Sequence, residues 1–477
     1  MVDLEHSLPV RNSGPDLPIT VEEWPVAGSA GSGLADVAWT WACAFFKIAS
    51  LATLLALGGS TLVPDTRTIP FVVWLILGGS IATWRVTTYW RDFPLALIAL
   101  AFSPILLGVM QVLPVPVDLL SVAPGQSVAV AVRALVSPQS SATISVDRLA
   151  TTLAALQIAV FSIACLLFHR VRFRQRKVLY ALFAAMGAIS AIISATQYVS
   201  GGTAFDFYNS AHASYAPGFF ANRNHGAIFL GCCLTFFGTL INCQRLPAEL
   251  KLGVFFAAAV PVLAIIALSG SRAGLVISGM MALSVVLLMP RSAWAMRHSK
   301  FPNKRLPGLA AISIVGFLAL VALIPLSGDT ALRLTAIDSD LRWSIWERSL
   351  VLAGQYMPWG SGLGTFPATY AMIEPLTELQ PFYINHVHND WIEAFVETGI
   401  MALIPLAAGV VLAAQGMQAS RVLDPIRRME CQAGLIVTFG LLVHSLIDYP
   451  LRTPTLALTF AFALTLISSA IRASRAV

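Results

Sequence analysis

Long apolar runs, separated by short polar segments, follow one another from about residue 36 to the end of the chain. A helix that crosses a membrane needs roughly 20 consecutive apolar residues, and the runs are close to that length. The pattern predicts an all-α, polytopic membrane protein with about 12 transmembrane helices. The predicted spans are residues 36–56, 68–84, 93–113, 149–168, 178–198, 225–242, 252–268, 273–290, 307–326, 399–416, 431–447 and 455–471.

The polar segments divide the chain further. Residues 1–35 are polar and predict an N-terminal tail ahead of a transmembrane domain over residues 36–477. Two connections on the side of the membrane opposite the termini are long, residues 114–148 and 327–387. The second joins predicted spans nine and ten. Because a helix is predicted to begin near Arg342, the connection 327–387 is expected to be a large helical loop.

Composition supports this assignment. Hydrophobic residues make up 57% of the chain and charged residues only 11%, with a mean hydropathy of +0.76. Soluble proteins carry about 25% charged residues. The net charge of +6 comes from Lys and Arg in short loops, a pattern that sets membrane orientation and does not indicate nucleic-acid binding. We therefore expect membrane lipids, and no nucleic acid, among the partners.

The distribution of basic residues predicts the orientation. With twelve spans both termini lie on one side, and 20 of the 30 Lys and Arg residues fall on that side. Nine fall on the other side, and all nine are Arg. Because cytoplasmic loops carry the excess of Lys and Arg, the termini are predicted to be cytoplasmic.

The most polar segment that leads directly into an apolar run lies ahead of predicted span ten. It contains His386 and His388. Asp390, with Glu393 three residues later, predicts a helix that is capped at Asp390 on the membrane surface and continues into the bilayer. An imidazole at this edge can take a proton near neutral pH, which makes His388 a candidate general base.

Other polar residues surround this position. Asn389 and Glu397 lie on one face of the predicted helix, because they are eight residues apart with Glu393 between them. We expect these two, with His386, Asp390 and Arg452, to act as supporting groups. A His-x-His pair without a third nearby histidine is a weak indication of a metal site, so no metal and no cofactor are expected.

Arginines on the predicted outer side suit an anionic substrate. Arg223 precedes predicted span six, Arg272 lies in the tight turn before span eight, and Arg342 begins the loop helix. A guanidinium group stays charged and offers a fixed fork of donors, which suits a diphosphate. A single arginine at a membrane edge can also have no role in binding, with its apolar stem along the membrane and its guanidinium group in water. That alternative stays open for Arg223, Arg272 and Arg342.

Four segments, taken in order, resemble the O-antigen ligase and polymerase superfamily. They are Asn222-Arg223-Asn224-His225, Ser269-Gly270-Ser271-Arg272-Ala273-Gly274, the stretch from Arg342 through Trp346 to Phe366, and His388-Asn389 followed by Gly399. The resemblance covers roughly residues 215–460. Residues 1–210 match only as apolar spans.

The resemblance implies a glycosyltransferase in the bacterial inner membrane, with its active site facing the periplasm. The donor would be a glycan on undecaprenyl diphosphate, and the acceptor a lipid A-core oligosaccharide, a second lipid-linked glycan or a protein hydroxyl. It implies that His388 is the base and that Arg223, Arg272 and Arg342 lie near the diphosphate. These guanidinium groups would stabilise the leaving group without a metal, and single displacement would invert the anomeric configuration.

Two alternatives accompany this prediction. Within the superfamily a ligase is expected first and a chain polymerase second. From another class, a transporter for an anionic lipid or solute would also use arginines. A transporter usually shows two similar halves with polar groups near the bilayer midplane, whereas the polar groups here gather on one side.

Overall fold

The computed structural model describes residues 58–60, 93–127, 130–131, 135, 142–169, 171, 173–208, 215–289, 341–379 and 383–475. Within these residues every regular element is helical, and an isolated β-bridge joins Val115 to Ala142. The all-α prediction is therefore confirmed for the part that the structure describes. The predicted tail 1–35 and the predicted spans 36–56, 68–84 and 307–326 lie outside it.

The α-helices with described ends are α1 (Leu95–Val112), α2 (Val117–Leu120), α3 (Arg148–His169), α4 (Phe173–Val199), α5 (Arg223–Asn242), α6 (Ala248–Leu268), α7 (Arg272–Leu288), α8 (Arg342–Tyr356), α9 (Phe366–Ala371), α10 (Asp390–Thr398), α11 (Leu403–Ser420), α12 (Pro425–His444) and α13 (Pro454–Ser474). Nine of these thirteen helices lie on predicted apolar runs, and the other four, α2 and α8 to α10, lie between them. Short 3-10 turns cover Pro124–Gln126, Leu376–Glu378, Gly399–Ala402 and Pro450–Arg452.

Seven stretches of the described chain are long and apolar enough to cross a membrane. They correspond to α1, α3, most of α4, α5, α6, the combined α10–α11 stretch and α13. The helix α7 is apolar but shorter, at 17 residues. The chain is thus a membrane protein, while a total of twelve spans remains a prediction.

Two helices, α5 and α13, lie in the interior of the bundle and are almost wholly buried. Phe183, Phe236 and Phe462 bring α4, α5 and α13 together, with ring centroids 4.8 to 5.3 Å apart. Aromatic rings at such distances pack favourably in edge-to-face or offset arrangements. This cluster fixes α5 relative to α13, and both helices begin at the functional site described below.

Helices α5 and α7 run parallel, side by side. A Cβ on Gly274 would lie 2.4 Å from that of Ala227, and one on Gly231 would lie 2.3 Å from the Ser278 hydroxyl. Both pairs are 47 residues apart in sequence, so the register is constant. Small residues allow this close approach between membrane helices. The register places the first turns of the two helices at the same level, with Arg272 opposite His225.

Candidate functional site

The cap of helix α10 lies one residue earlier than the cap predicted from sequence. The cap is Asn389, whose side chain accepts hydrogen bonds from the N–H groups of Trp391 and Ile392, at 3.0 and 3.1 Å. The prediction of Asp390 as cap is therefore wrong, because the Asp390 carboxylate accepts instead from the Ser445 hydroxyl, at 2.9 Å. Glu393 does reach back, and accepts from the Val387 N–H at 2.9 Å.

His388 precedes this cap in a left-handed backbone conformation, with φ of +56°. Such a conformation is uncommon outside glycine and is often found at functional sites, where surrounding structure enforces it. The backbone directs the imidazole toward the connection between α12 and α13. There His388 Nδ1 lies 3.3 Å from Asp448 Oδ1, and the side chain of His388 stays 26% exposed.

Asp448 is the centre of a group that we call the Asp448 cluster: Asp448 with His388, Arg342, Asn222, Asn224 and His225. The carboxylate is buried, with 1% side-chain exposure. Asn224 donates to Oδ2 at 2.6 Å, His225 Nε2 lies 3.5 Å from Oδ1, and Arg342 Nη2 lies 3.8 Å from Oδ2. The Asn222 amide adds contacts at 3.4 and 3.5 Å. Three separate segments therefore place donors around one anion.

The surroundings keep Asp448 ionised. Burial by itself would raise its pKa, but the imidazoles of His225 and His388, which lie 3.5 and 3.3 Å from Oδ1, outweigh burial. The pKa of Asp448 therefore lies well below its usual value. A permanent carboxylate against His388 Nδ1 holds the proton on that nitrogen, which leaves Nε2 as the acceptor for another proton.

A second buried group surrounds Arg452 and is called the Arg452 cluster here: Arg452, Asp390, Glu393, Glu397 and His386. The guanidinium of Arg452 lies 3.3, 3.1 and 2.9 Å from the Asp390, Glu393 and Glu397 carboxylates. These three carboxylates share one face of α10, as positions i, i+3 and i+7 require. Burial by itself lowers the pKa of Arg452, yet the carboxylates raise it above its usual value.

His386 completes the Arg452 cluster. Its Nδ1 lies 2.8 Å from Glu393 Oε1. The predicted supporting groups Asp390, Glu397, His386 and Arg452 thus lie in one ionic cluster. It joins α10 to the segment that connects α12 and α13, and that segment also carries Asp448. The geometry brings these residues together; their part in any reaction stays a prediction.

The three predicted diphosphate-binding arginines are placed differently. Arg342 contacts Asp448 directly. Arg223 follows Asn222 at the start of α5, and its guanidinium stacks on the Tyr215 ring, 4.4 Å from the centroid. Arg272 is exposed at the start of α7. Because α7 runs beside α5 in a fixed register, Arg272 lies at the level of the Asp448 cluster, at the same end of the bundle.

The glycine-containing loop between α8 and α9 is a compact turn against α10. Gly360, Gly362 and Gly364 all have positive φ. A Cβ on Gly360 would lie 2.3 Å from the Glu397 carbonyl oxygen, so the loop backbone contacts the helix directly. The Gln111 side chain, from the end of α1, donates to the same Glu397 carbonyl at 2.7 Å. The loop thereby supports the end of α10.

Sequence reasoning gave little weight to several residues that the structure places centrally. In the sequence Asp448 is one of several polar residues on the predicted outer side, and His225, Asn222 and Asn224 occur there only within a motif. Tyr449 was not singled out at all. The available signal was a carboxylate directly after the apolar run 431–447; the other members of the Asp448 cluster lie from 60 to 226 residues away in sequence. Among the described residues, no group of three or more His, Cys, Asp or Glu side chains is arranged to hold a metal ion.

A family model matches part of the chain. Residues 257–407 match the family model described as O-antigen ligase. The matched part runs from α6 into α11 and includes Arg272, Arg342 and His388. Asp448 and the first turn of α5 lie outside it. A search of the curated proteins finds no match to the chain.

Proposed function

We propose, from the premise that the chain belongs to the O-antigen ligase superfamily, that it transfers a glycan from undecaprenyl diphosphate to a sugar hydroxyl. The acceptor in this proposal is the lipid A-core oligosaccharide. The observation that supports the proposal most strongly is the 3.3 Å contact between His388 and the buried Asp448, surrounded by donors from α5 and α8.

The reaction begins with removal of a proton from the acceptor hydroxyl. His388 Nε2 takes this proton while the hydroxyl oxygen attacks the anomeric carbon of the donor. Asp448 orients the imidazole through Nδ1 and stabilises the imidazolium that forms, as the carboxylate does in other carboxylate–histidine pairs. The new bond joins the acceptor oxygen to the anomeric carbon.

The bond between the anomeric carbon and the diphosphate oxygen breaks in the same step. Negative charge develops on the departing undecaprenyl diphosphate, and preplaced guanidinium groups stabilise it. Arg342 contacts Asp448, the partner of the base, while Arg223 and Arg272 lie at the same end of the bundle. A single displacement of this kind inverts the anomeric configuration.

The proposal includes an orientation. Helices α5, α7 and α13 begin at the site end of the bundle, and α13 ends at Ser474, close to the C-terminus, at the other end. With the termini in the cytoplasm, as the excess of basic residues indicates, the site faces the periplasm of the inner membrane. The insertions 114–148 and 327–387 then lie on the periplasmic side. This one-sided placement favours surface chemistry over transport.

The test replaces His388 in a strain that lacks its own copy of this gene. We expect His388→Ala to be present in the membrane at normal abundance, while long-chain lipopolysaccharide disappears because the acceptor proton has no base. The measurement is the gel profile of lipopolysaccharide, with an immunoblot for abundance.

Each outcome decides between the functions. Normal long chains in His388→Ala would remove His388 as the base. Loss of all long chains in the deletion strain supports a ligase, whereas a core that carries one repeat unit would identify a chain polymerase instead. An unchanged glycan profile in the deletion strain would overturn both.

A further inference from the structure

Three imidazole rings surround the side chain of Tyr449. The ring centroids of His386, His225 and His388 lie 4.2, 4.8 and 4.9 Å from that of Tyr449. The His225 and His388 rings meet it edge-on, and the His386 ring is tilted by 37°. Tyr449 is 8% exposed, so these three rings form much of its surroundings.

Polar contacts fix Tyr449 at both ends. Its backbone N–H donates to Asp448 Oδ1 at 3.0 Å, the oxygen that also faces His388 and His225. Its hydroxyl hydrogen-bonds with the side chains of Asn222 and Asn385. Burial raises the pKa of Tyr449, which keeps the phenol neutral. A neutral phenol with both ends fixed is suited to hold neighbouring groups in place, and poorly suited to carry a proton.

The ring also lies between the two ionic groups of the site. His386 belongs to the Arg452 cluster through Glu393, and His388 belongs to the Asp448 cluster. Only Val387 separates these histidines in sequence, and a left-handed backbone at His388 turns their side chains toward different carboxylates. An aromatic ring that contacts both imidazoles keeps each one with its own carboxylate.

We propose that Tyr449 is a positioning residue: its ring holds the His388 imidazole where Nδ1 meets Asp448 and keeps His386 apart on Glu393. This inference rests on the proposed role of His388 as the base. Tyr449 itself does not touch the reacting atoms. Its contribution is the orientation of the base, and small displacements of a catalytic group have large effects on rate.

The experiment uses the full chain in proteoliposomes, with undecaprenyl diphosphate that carries the strain's own glycan and purified lipid A-core as acceptor. Tyr449→Leu removes the ring, and we expect kcat to fall roughly 10- to 100-fold while KM for the donor changes less than about twofold. Tyr449→Phe keeps the ring and loses the hydroxyl, and we expect it to retain kcat within about threefold.

Controls separate this inference from the proposed function. His388→Ala is measured beside the Tyr449 variants: if it transfers glycan normally, the proposed function fails whatever Tyr449 does. If His388→Ala is inactive but Tyr449→Leu keeps a normal kcat, the positioning role alone is wrong. A Phe variant as slow as the Leu variant would also overturn it, because the hydroxyl and not the ring would then matter.

Folding is checked by gel filtration and thermal unfolding in detergent. Tyr449→Met fills a similar space without a ring and replaces the Leu variant if that variant is not recovered folded. A Met variant with normal kcat contradicts the proposal, and one with a low kcat and an unchanged KM supports it.

Discussion

A single carboxylate determines how the residues of the site are arranged. Asp448 has 1% side-chain exposure, yet its charge is compensated by imidazole, amide and guanidinium donors from outside its own segment. Burial of an unpaired carboxylate would cost several kcal/mol, and the donors offset this cost. Asp448 therefore both stabilises the folded site and orients the imidazole of His388.

The variant Asp448→Asn tests both roles at the residue scale. The amide has nearly the same shape but carries no charge, so it does not favour the imidazolium and can impose the wrong tautomer on His388. We expect transfer activity to fall roughly 10²- to 10⁴-fold in the proteoliposome assay. Asp118→Asn, an exposed carboxylate at the same end of the bundle, is the matched control, and equal losses in both variants would contradict this role.

The same variant has a second signature in its pH dependence. The folded-state pKa of Asp448 lies well below the ordinary value of 3.8. A lowered pKa stabilises the folded state above the unfolded pKa, and this stabilisation is lost as the pH falls through the folded pKa. We expect the difference in Tm between wild type and Asp448→Asn to be constant above about pH 5 and to shrink below about pH 4. A difference that grows in acid would refute this assignment.

At the scale of elements, the decisive feature is the break between α10 and α11. Gly399 ends α10 with φ of +58°, and a Cβ there would lie 2.1 Å from the Pro358 carbonyl oxygen. The sequence predicted one continuous helix from Asp390 into the apolar run 399–416. That helix is interrupted at Gly399, the first residue of the run. The break ends α10 just after its three carboxylates, which contact Arg452, and α11 begins at Leu403 after a 3-10 turn.

Gly399→Ala tests this junction. An alanine at this position would have to adopt a left-handed backbone, and its Cβ would clash with the Pro358 carbonyl oxygen. We therefore expect a loss of at least about 2 kcal/mol in the free energy of unfolding. Thermal unfolding in detergent measures it. The control is Gly354→Ala, within the exposed part of α8, where an added Cβ meets no atom within 4 Å. We expect that change to be neutral or slightly stabilising, and similar losses in both variants would argue against a special junction at Gly399.

At the scale of the whole molecule, the two ends of the bundle carry different chemistry. Opposite the site, Arg176 at the start of α4 donates to both Glu430 carboxylate oxygens, at 3.0 and 2.8 Å. Tyr180 adds a hydrogen bond to the same carboxylate at 3.0 Å. The pair is nearly buried and joins α4 to α12. It therefore stabilises the fold at the end of the bundle opposite the site.

Glu430→Ala separates stability from activity. Removal of one partner leaves Arg176 buried without its counter-charge, and we expect a loss of roughly 3 to 5 kcal/mol in the free energy of unfolding. Activity per folded molecule should stay near wild type, because the site lies at the other end of the bundle. The control is Glu249→Ala, an exposed acid at the same end. A lost activity in folded Glu430→Ala would show that the two ends are coupled.

The sequence by itself determined the class of the fold and most helix positions. In a bilayer, an apolar run of about 20 residues can satisfy its backbone N–H and C=O groups only as a helix, because no water is present to pair with them. Nine of the twelve predicted spans fall on described helices. The motif around His388 and the arginines predicted the family that residues 257–407 match.

Only the tertiary structure decided which polar residues meet. Asp448 and His388 are 60 residues apart, and Asn224 is 224 residues from Asp448. Local periodicity says which face a residue occupies, but it cannot say which distant helix end lies opposite. The cap at Asn389, the break at Gly399 and the three rings around Tyr449 depend on such distant contacts, because long-range packing selects among local conformations that the sequence alone leaves similar in energy.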